Sequence, residues 1–223
     1  MSDQISAQIS GRTRYAAMNR RAAMTAATLA AMATLAGCGG GGAGAPVDGD
    51  MALGAAEGAK VTVVEYASIT CHVCAAWQAE HWDGLKRAYV DTNKVRYVFR
   101  EIPTPPAQVA IAGFAIARCA GDDKYFDVVH ELLSSQDEMR ADPRATLFRV
   151  GNGAGLSNER VQQCITDEAA LTGAEERAKA ARAAGVDGTP TFFVNGVKII
   201  TPGSQSGTSL ADLSKAIDAE LAK

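Results

Sequence analysis

Residues 61–74 read Val-Thr-Val-Val-Glu-Tyr-Ala-Ser-Ile-Thr-Cys-His-Val-Cys. The first seven residues are rich in β-branched side chains, a composition that predicts a buried strand over 61–67. A short turn follows, and from residue 72 to about residue 90 a broad apolar face recurs with helical spacing, which predicts a helix. Cys71 and Cys74 therefore form a C-x-x-C pair at the point where a strand gives way to a helix.

The position of this cysteine pair favours thiol chemistry. Unpaired backbone N–H groups and the positive end of the helix dipole stabilise a thiolate at a helix start. A lowered thiol pKa makes Cys71 the attacking sulfur and a good leaving group. Cys74, one turn deeper, is expected to resolve the mixed disulfide, and His72 can add positive charge beside Cys71.

Two other interpretations of the pair stay open. One is a structural disulfide without turnover, and the other is half of a zinc site. A structural zinc site needs four ligands, whereas the chain has three histidines and no second C-x-x-C. We therefore expect no metal at this position.

The rest of the chain alternates between strand and helix patterns. Residues 95–100 predict a second strand, 191–200 predict a hairpin with an Asn-Gly turn, and 210–221 predict a last helix. Between the second strand and the hairpin nearly everything reads helical. The predicted helices there are 107–119, 122–137, 142–150, 157–166 and 168–184.

Three separated features of this α/β pattern resemble the DsbA-like branch of the thioredoxin-fold disulfide oxidoreductases. They are the strand with its C-x-x-C over 61–74, the helical block after the second strand, and the sequence Gly-Val-Asp-Gly-Thr-Pro-Thr-Phe-Phe-Val-Asn-Gly over 185–196. The resemblance covers about residue 51 to the end. It implies a thioredoxin fold over 59–223, with a helical insertion of about 107–184 between the second strand and a cis-proline hairpin.

The resemblance also assigns roles to residues outside the C-x-x-C. It implies that Pro190 is cis and packs against the disulfide, with Thr189 beside it. The backbone there would pair with an extended substrate segment. Glu65 stands where the family often has an acid near the buried cysteine, and it would exchange a proton with Cys74. The alternative is that Glu65 lies at a solvated strand end.

The remaining implications concern the second cysteine pair and the cofactor. Some bacterial relatives carry a second bridge within the helical insertion, so the resemblance implies a structural disulfide between Cys119 and Cys164. Two buried free thiols are the alternative. No bound cofactor is implied.

The sequence departs from the family pattern between the two cysteines. The usual oxidase dipeptide is Pro-His, whereas this chain has His72-Val73. That dipeptide tunes the redox poise in this fold, so a reductase or isomerase role stays open beside the oxidase role. An isomerase usually needs a dimer that shields its substrate, and the sequence shows no separate dimerisation domain. We therefore favour the oxidase role over the isomerase role.

The N-terminal 37 residues have a composition of their own. Four arginines and a single acid precede an uncharged run over 22–36. That run is short for a membrane span, which needs about 20 residues, but it fits a secretory signal peptide over 1–37. Leu-Ala-Gly-Cys38 resembles a lipoprotein signal, with lipidation at Cys38, and the Gly/Ala-rich segment 38–58 predicts a flexible tether. The alternative is an alanine-rich helix with a chance cysteine.

Composition narrows the function class. The chain has 223 residues, 47% of them hydrophobic and 21% charged, which is ordinary for one globular domain. A formal net charge of −3 argues against nucleic-acid binding. We therefore predict an exported, lipid-anchored thiol–disulfide oxidoreductase on the periplasmic side of a bacterial membrane. Its expected partners are extracytoplasmic proteins with cysteines and a membrane redox partner, either a quinone-linked oxidase or an electron donor. A non-catalytic peptide- or metal-binding lipoprotein is the alternative.

Overall fold

A computed structural model describes residues 45–204 and 207–223 and is built around a five-stranded mixed sheet. The strands are β1 Met51–Gly54, β2 Thr62–Ala67, β3 Arg96–Glu101, β4 Thr191–Val194 and β5 Val197–Ile199. Their order across the sheet is β1-β3-β2-β4-β5. β2 and β3 run parallel, and the other neighbouring pairs are antiparallel. β2 is central, which explains its nearly continuous run of apolar residues.

Six helices interrupt the chain between β3 and β4. The helices of the described residues are α1 His72–Leu85, α2 Ala107–Cys119, α3 Asp122–Ser134, α4 Gln136–Ala141, α5 Pro143–Gly153, α6 Asn158–Ile165, α7 Glu168–Ala183 and α8 Leu210–Leu221. A π-helical turn, Lys86–Val90, continues α1. The predicted fold class is confirmed: a thioredoxin fold carries a helical insertion, α2 to α7, ahead of the β4–β5 hairpin. Asn195 and Gly196 both have positive φ, as a type I′ turn requires.

The predicted tether over 38–58 is wrong for residues 51–54, because they form β1 on the edge of the sheet. Met51 is buried and Leu53 packs against the core. Met-Ala-Leu-Gly is too short to show a period, so its strand conformation comes from pairing with β3 rather than from local preference.

The segment just before β1 is also held. Arg100 donates from Nε to Asp50 Oδ1 at 2.9 Å and from Nη2 to Asp50 Oδ2 at 2.8 Å. Arg100 Nη2 also donates to the Ala45 carbonyl at 2.6 Å. Residues 45–50 are therefore fixed at the carboxyl end of β3. The predicted signal peptide and Cys38 lie outside the described residues.

The predicted helix over 122–137 is wrong in its continuity. Ser135 leaves the helical conformation, with φ −96° and ψ 20°, so α3 ends before it and α4 begins after it. Arg149 of α5 fixes the break by donating from Nη2 to the Ser135 hydroxyl at 2.7 Å. The break turns Gln136 into the protein interior.

A buried carboxylate joins the insertion to the sheet. Glu101, at the end of β3, is 1% exposed. Its Oε1 accepts from Arg118 Nε at 2.7 Å and from the Tyr125 hydroxyl at 2.8 Å, and its Oε2 accepts from Arg177 Nε at 2.7 Å. Helices α2, α3 and α7 therefore converge on one carboxylate, whose negative charge is balanced by two guanidinium groups.

Cys119 and Cys164 form a disulfide between α2 and α6, with their Cα atoms 6.1 Å apart. That Cα separation is ordinary for a disulfide. A sequence separation of 45 residues makes the loop long, and closing such a loop in the unfolded chain contributes about 4 kcal/mol in a chain-entropy account.

We predict that Glu101→Gln lowers the free energy of unfolding by about 3 kcal/mol, because it removes the buried charge that the two arginines compensate. Urea denaturation of the oxidised protein measures the change. The matched control is Glu131→Gln, whose carboxylate pairs with Arg149 but is 49% exposed, and there we expect a loss of about 0–1 kcal/mol. Equal losses in the two variants would contradict this account of the insertion.

Candidate active site

The site begins with Cys71, which is the N-cap residue of α1. Its backbone is extended, with φ −84° and ψ 113°, and its Sγ accepts a hydrogen bond from the Cys74 amide at 3.2 Å. The Cys71 amide donates to the Ser68 carbonyl at 3.1 Å, which closes the turn after β2. The strand-to-helix corner therefore places a sulfur where other helices carry a hydroxyl or a carboxylate.

These surroundings make Cys71 acidic. Its pKa is lowered from 9.0 to about 6, first by a hydrogen bond from the Cys74 thiol. Hydrogen bonds donated to the sulfur by the Thr189 side chain and by the amides of Cys74 and Val73 lower the pKa further, while partial burial opposes the shift. In the protonated form the Cys71 thiol donates to the Thr189 carbonyl at 3.4 Å. At neutral pH the thiolate predominates.

Cys74 is the opposite case. It is 1% exposed, and its pKa is raised far above the ordinary value, first by burial, then by its hydrogen bond to Cys71 and by the negative charge there. Both thiols are free in this structure, which is the dithiol form. The pair is therefore asymmetric, with one sulfur poised to attack and the other held neutral.

Glu65 lies in β2 and is 5% exposed, so it does not occupy a solvated strand end. Burial raises its pKa from 4.5 to about 7, a hydrogen bond from Tyr97 lowers it, and the charge of Cys71 raises it. The donor of that bond is the Tyr97 hydroxyl, and its acceptor is Glu65 Oε2. The electrostatic influence of Glu65 extends to Cys74, whose pKa it raises.

The loop before β4 closes the other side of the site. The Thr189–Pro190 peptide bond is cis, and Pro190 is buried. Gly207 has φ +86°, and a Cβ added to it would lie 3.1 Å from the Pro190 carbonyl oxygen. A glycine is thus needed where the two backbones approach each other.

His72 follows Cys71 directly, and the positive charge predicted for it beside that sulfur stays a prediction. It is the first residue of α1, and its side chain is exposed. Within residues 45–204 and 207–223, the hydrogen bonds at the Cys71 sulfur involve Cys74, Val73 and Thr189. The groups that lower the pKa of Cys71 are therefore those that donate hydrogen bonds to its sulfur.

Two residues of the site were missed by the sequence analysis. The Tyr97 hydroxyl holds Glu65. The parallel register of β2 and β3 is the signal that could have indicated this contact. Glu65 pairs with Phe99 and Val63 with Tyr97, so Tyr97 lies two residues along β3 from the partner of Glu65 and on the same face of the sheet. Gln136 donates from Nε2 to the Cys71 carbonyl at 3.0 Å. No sequence pattern marked Gln136, because its inward direction depends on the break between α3 and α4.

The described part of the chain, residues 45–204 and 207–223, offers neither a metal cluster nor a membrane span. Across it, no three His, Cys, Asp or Glu side chains come together as a metal site. None of the helices in that part combines the length and the apolar character of a membrane span.

With this geometry established, comparison with known proteins identifies the family. A sequence model described as thioredoxin matches residues 47–219. The chain belongs to the thioredoxin family. The match spans the sheet, α1 and the whole helical insertion.

Individual relatives agree with this assignment. A Rickettsia prowazekii protein named as a protein-disulfide oxidoreductase is 35% identical over 178 residues, which are 78% of this chain and 62% of that protein. The chain thus spans about three fifths of that relative's length. The crystal structure of Wolbachia pipientis alpha-DsbA1 superimposes with a TM-score of 0.69 at 23% identity, covering 79% of this chain and 93% of that one. A thioredoxin-like oxidoreductase from Silicibacter pomeroyi gives 0.61 at 26% identity, covering 78% and 93%.

The acidity of Cys71 predicts how the stability of the reduced protein depends on pH. A thiol whose pKa falls from 9.0 to about 6 on folding stabilises the fold fully above pH 9, and this contribution is lost as the pH falls through 6. We therefore expect the free energy of unfolding of the reduced protein to rise between these values.

Denaturant titrations at several pH values measure this contribution as the difference between the wild type and Cys71→Ser. Glu65 has a raised pKa and acts in the opposite direction, but its direct contribution is present in both proteins and largely cancels. A difference that stays constant from pH 5 to pH 9 would contradict the assignment.

Proposed function

We propose that this protein is a thiol–disulfide oxidoreductase that exchanges a Cys71–Cys74 disulfide with cysteines of other proteins. One observation carries the proposal. An acidic Cys71 caps α1 beside a buried, neutral Cys74. The names of the rickettsial relatives support the same activity.

The proposed reaction has two exchange steps. A substrate thiolate attacks Cys71 Sγ of the oxidised protein, the Cys71–Cys74 bond breaks, and its electron pair goes to Cys74, which takes up a proton. A second substrate thiol then loses its proton and attacks the substrate sulfur of the mixed disulfide. Cys71 leaves as a thiolate, which its low pKa favours. The substrate has lost two electrons and two protons, and the protein has gained the electrons.

Glu65 supplies the proton that Cys74 needs and removes it in the reverse direction. Its carboxyl group has a pKa of about 7, so it both donates and accepts a proton near neutral pH. Tyr97 holds this carboxyl group in place through its hydroxyl. The substrate segment binds in extended form beside the Thr189–Pro190 loop, which lies next to the Cys71 sulfur.

We infer that the net direction is oxidation of the substrate. A stabilised Cys71 thiolate favours the reduced form of the protein, so the disulfide form is oxidising. Turnover then requires a membrane partner, quinone-linked in the predicted role, that removes the two electrons. Export and a lipid anchor at Cys38 would place the reaction on the periplasmic side of a bacterial membrane. They are supported by the arginine-rich start and the Leu-Ala-Gly-Cys38 pattern.

The equilibrium reduction potential tests the direction. Titration of the protein against a glutathione redox series is expected to give a value of about −120 mV, as for strong oxidants of this fold. A value of about −270 mV would instead indicate a reductase that a membrane electron donor keeps reduced.

Two cysteine variants test the enzyme itself. Cys71→Ser removes the attacking sulfur, and we expect it to abolish oxidation of a reduced, unfolded protein substrate. Cys74→Ala removes the resolving sulfur. When it is given a protein substrate that already contains a disulfide, its Cys71 thiolate should attack that disulfide, release the other substrate sulfur as a thiolate and stay joined to the substrate. This mixed disulfide is visible on non-reducing gels. If Cys71→Ser still binds peptides and the wild type shows no turnover, the protein is a binding module instead.

The pH profile tests Glu65. We measure the rate at which Cys74 attacks a Cys71–glutathione mixed disulfide, a step in which Cys74 must lose its proton. The wild-type rate should rise with pH through about 7, and Glu65→Gln should slow it by about tenfold or more and remove that inflection. The hydrogen bond from Tyr97 lowers the pKa of Glu65 in the wild type. Its removal in Tyr97→Phe should therefore move the inflection to higher pH. An unchanged profile in Glu65→Gln would exclude this role.

A further inference from the structure

Gln136 reaches from the helical insertion into the loop that carries the attacking cysteine. It is the first residue of α4 and is 8% exposed. Its Nε2 donates to the Ile69 carbonyl at 2.8 Å and to the Cys71 carbonyl at 3.0 Å. One side-chain amide therefore spans the backbone on both sides of Thr70 and uses both of its N–H groups.

The same loop is seated in the insertion through an apolar contact. Ile69 is fully buried. A Cβ added to Gly113 of α2 would overlap Ile69 Cδ1 and lie 3.0 Å from Leu132 Cδ1. The insertion thus holds the loop in two ways: Ile69 packs against α2 and α3, and Gln136 donates hydrogen bonds to two carbonyl groups of the loop.

The Cys71 carbonyl belongs to the first peptide unit of α1, together with the His72 amide. It also accepts the first hydrogen bond of the helix, from the Ala75 amide at 3.1 Å. Its orientation sets the direction of the following amides, and those are the groups that stabilise negative charge on the sulfur. A donor that fixes this carbonyl fixes the environment of the sulfur.

The position of Gln136 is itself held. Arg149 of α5 donates to the Ser135 hydroxyl at 2.7 Å, to Glu131 Oε1 of α3 at 2.8 Å and to Glu138 Oε2 of α4 at 3.0 Å. These bonds fix the chain on either side of the break between α3 and α4. The amide of Gln136 is therefore pre-positioned rather than selected from many rotamers.

We propose that Gln136 is a positioning residue for the attacking thiol, and that the helical insertion uses its amide to keep the first N–H groups of α1 aimed at the Cys71 sulfur. The inference rests on the proposed function in one respect, since it takes Cys71 as the attacking sulfur. It assigns a chemical role to the insertion as well as a structural one.

The test compares Gln136→Met with Gln78→Met. Methionine has nearly the shape of glutamine and no N–H donor. Gln78 offers a matched control, because its Nε2 also links α1 to the insertion, but this hydrogen bond ends at the His130 carbonyl of α3, 3.2 Å away, rather than at a carbonyl of the loop. In each reduced protein, the rate of Cys71 alkylation by iodoacetamide is followed from pH 4 to pH 9, and thiolate absorbance at 240 nm is followed in parallel.

We expect the midpoint of the Cys71 titration to move upward in Gln136→Met, with alkylation at pH 5 slowed about threefold or more as the thiolate fraction falls. Gln78→Met should titrate like the wild type. An unchanged midpoint in Gln136→Met, or an equal shift in Gln78→Met, would overturn the proposal.

A second variant keeps the test decisive if Gln136→Met disturbs the insertion, as judged by circular dichroism. Gln136→Leu also lacks a donor for the two carbonyls and brings no charge to the loop, so the same upward shift is expected and its absence would overturn the proposal. Alkylation needs no protein substrate. A protein with a normal Gln136 effect but no substrate oxidation would therefore contradict the proposed function and not this inference.

Discussion

The hydrogen bond from the Cys74 amide to the Cys71 sulfur is the contact on which the site depends. At the starts of α5 and α6 the corresponding position holds Asp142 and Ser157, whose oxygens cap the helix. At α1 a sulfur accepts the bond instead. The free amides of a helix start favour negative charge, so the cap that begins the helix also makes the thiol reactive. The same hydrogen bond therefore starts α1 and stabilises the thiolate of Cys71.

The sheet contains two buried carboxylates with different surroundings. Glu101 meets two guanidinium groups and a phenol, and it holds the insertion on the sheet. Glu65 meets the phenol of Tyr97, and within the described ranges no lysine or arginine pairs with it. A charge-balanced carboxylate stabilises the fold, whereas one left without a cation has a pKa near neutrality and can move a proton. The two carboxylates differ because the insertion brings Arg118 and Arg177 to Glu101 at the end of β3.

Local patterns predicted the central strands and the first helix because those elements are locally marked, and the family resemblance implied the thioredoxin fold that joins them. The β-branched run of β2, the C-x-x-C at its end and the Asn-Gly turn of the hairpin each carry a short-range signal. β1 has none, because Met51–Gly54 becomes a strand only through pairing with β3. Gln136 was missed for a similar reason: its direction depends on the break at Ser135, which Arg149 of a later helix fixes. Residues that depend on distant partners were the ones that sequence reasoning could not place.

The anchoring of the segment before β1 has a consequence for how the molecule is presented to its surroundings. Arg100 fixes Asp50 and the Ala45 carbonyl at the carboxyl end of β3. β2 runs parallel to β3, so the loop that leads to Cys71 starts at the same end of the sheet, where the carboxyl ends of both strands lie. The chain thus enters the body beside its reactive thiol. A surface that holds residues 45–50 would therefore face the end of the sheet at which the loop to Cys71 begins.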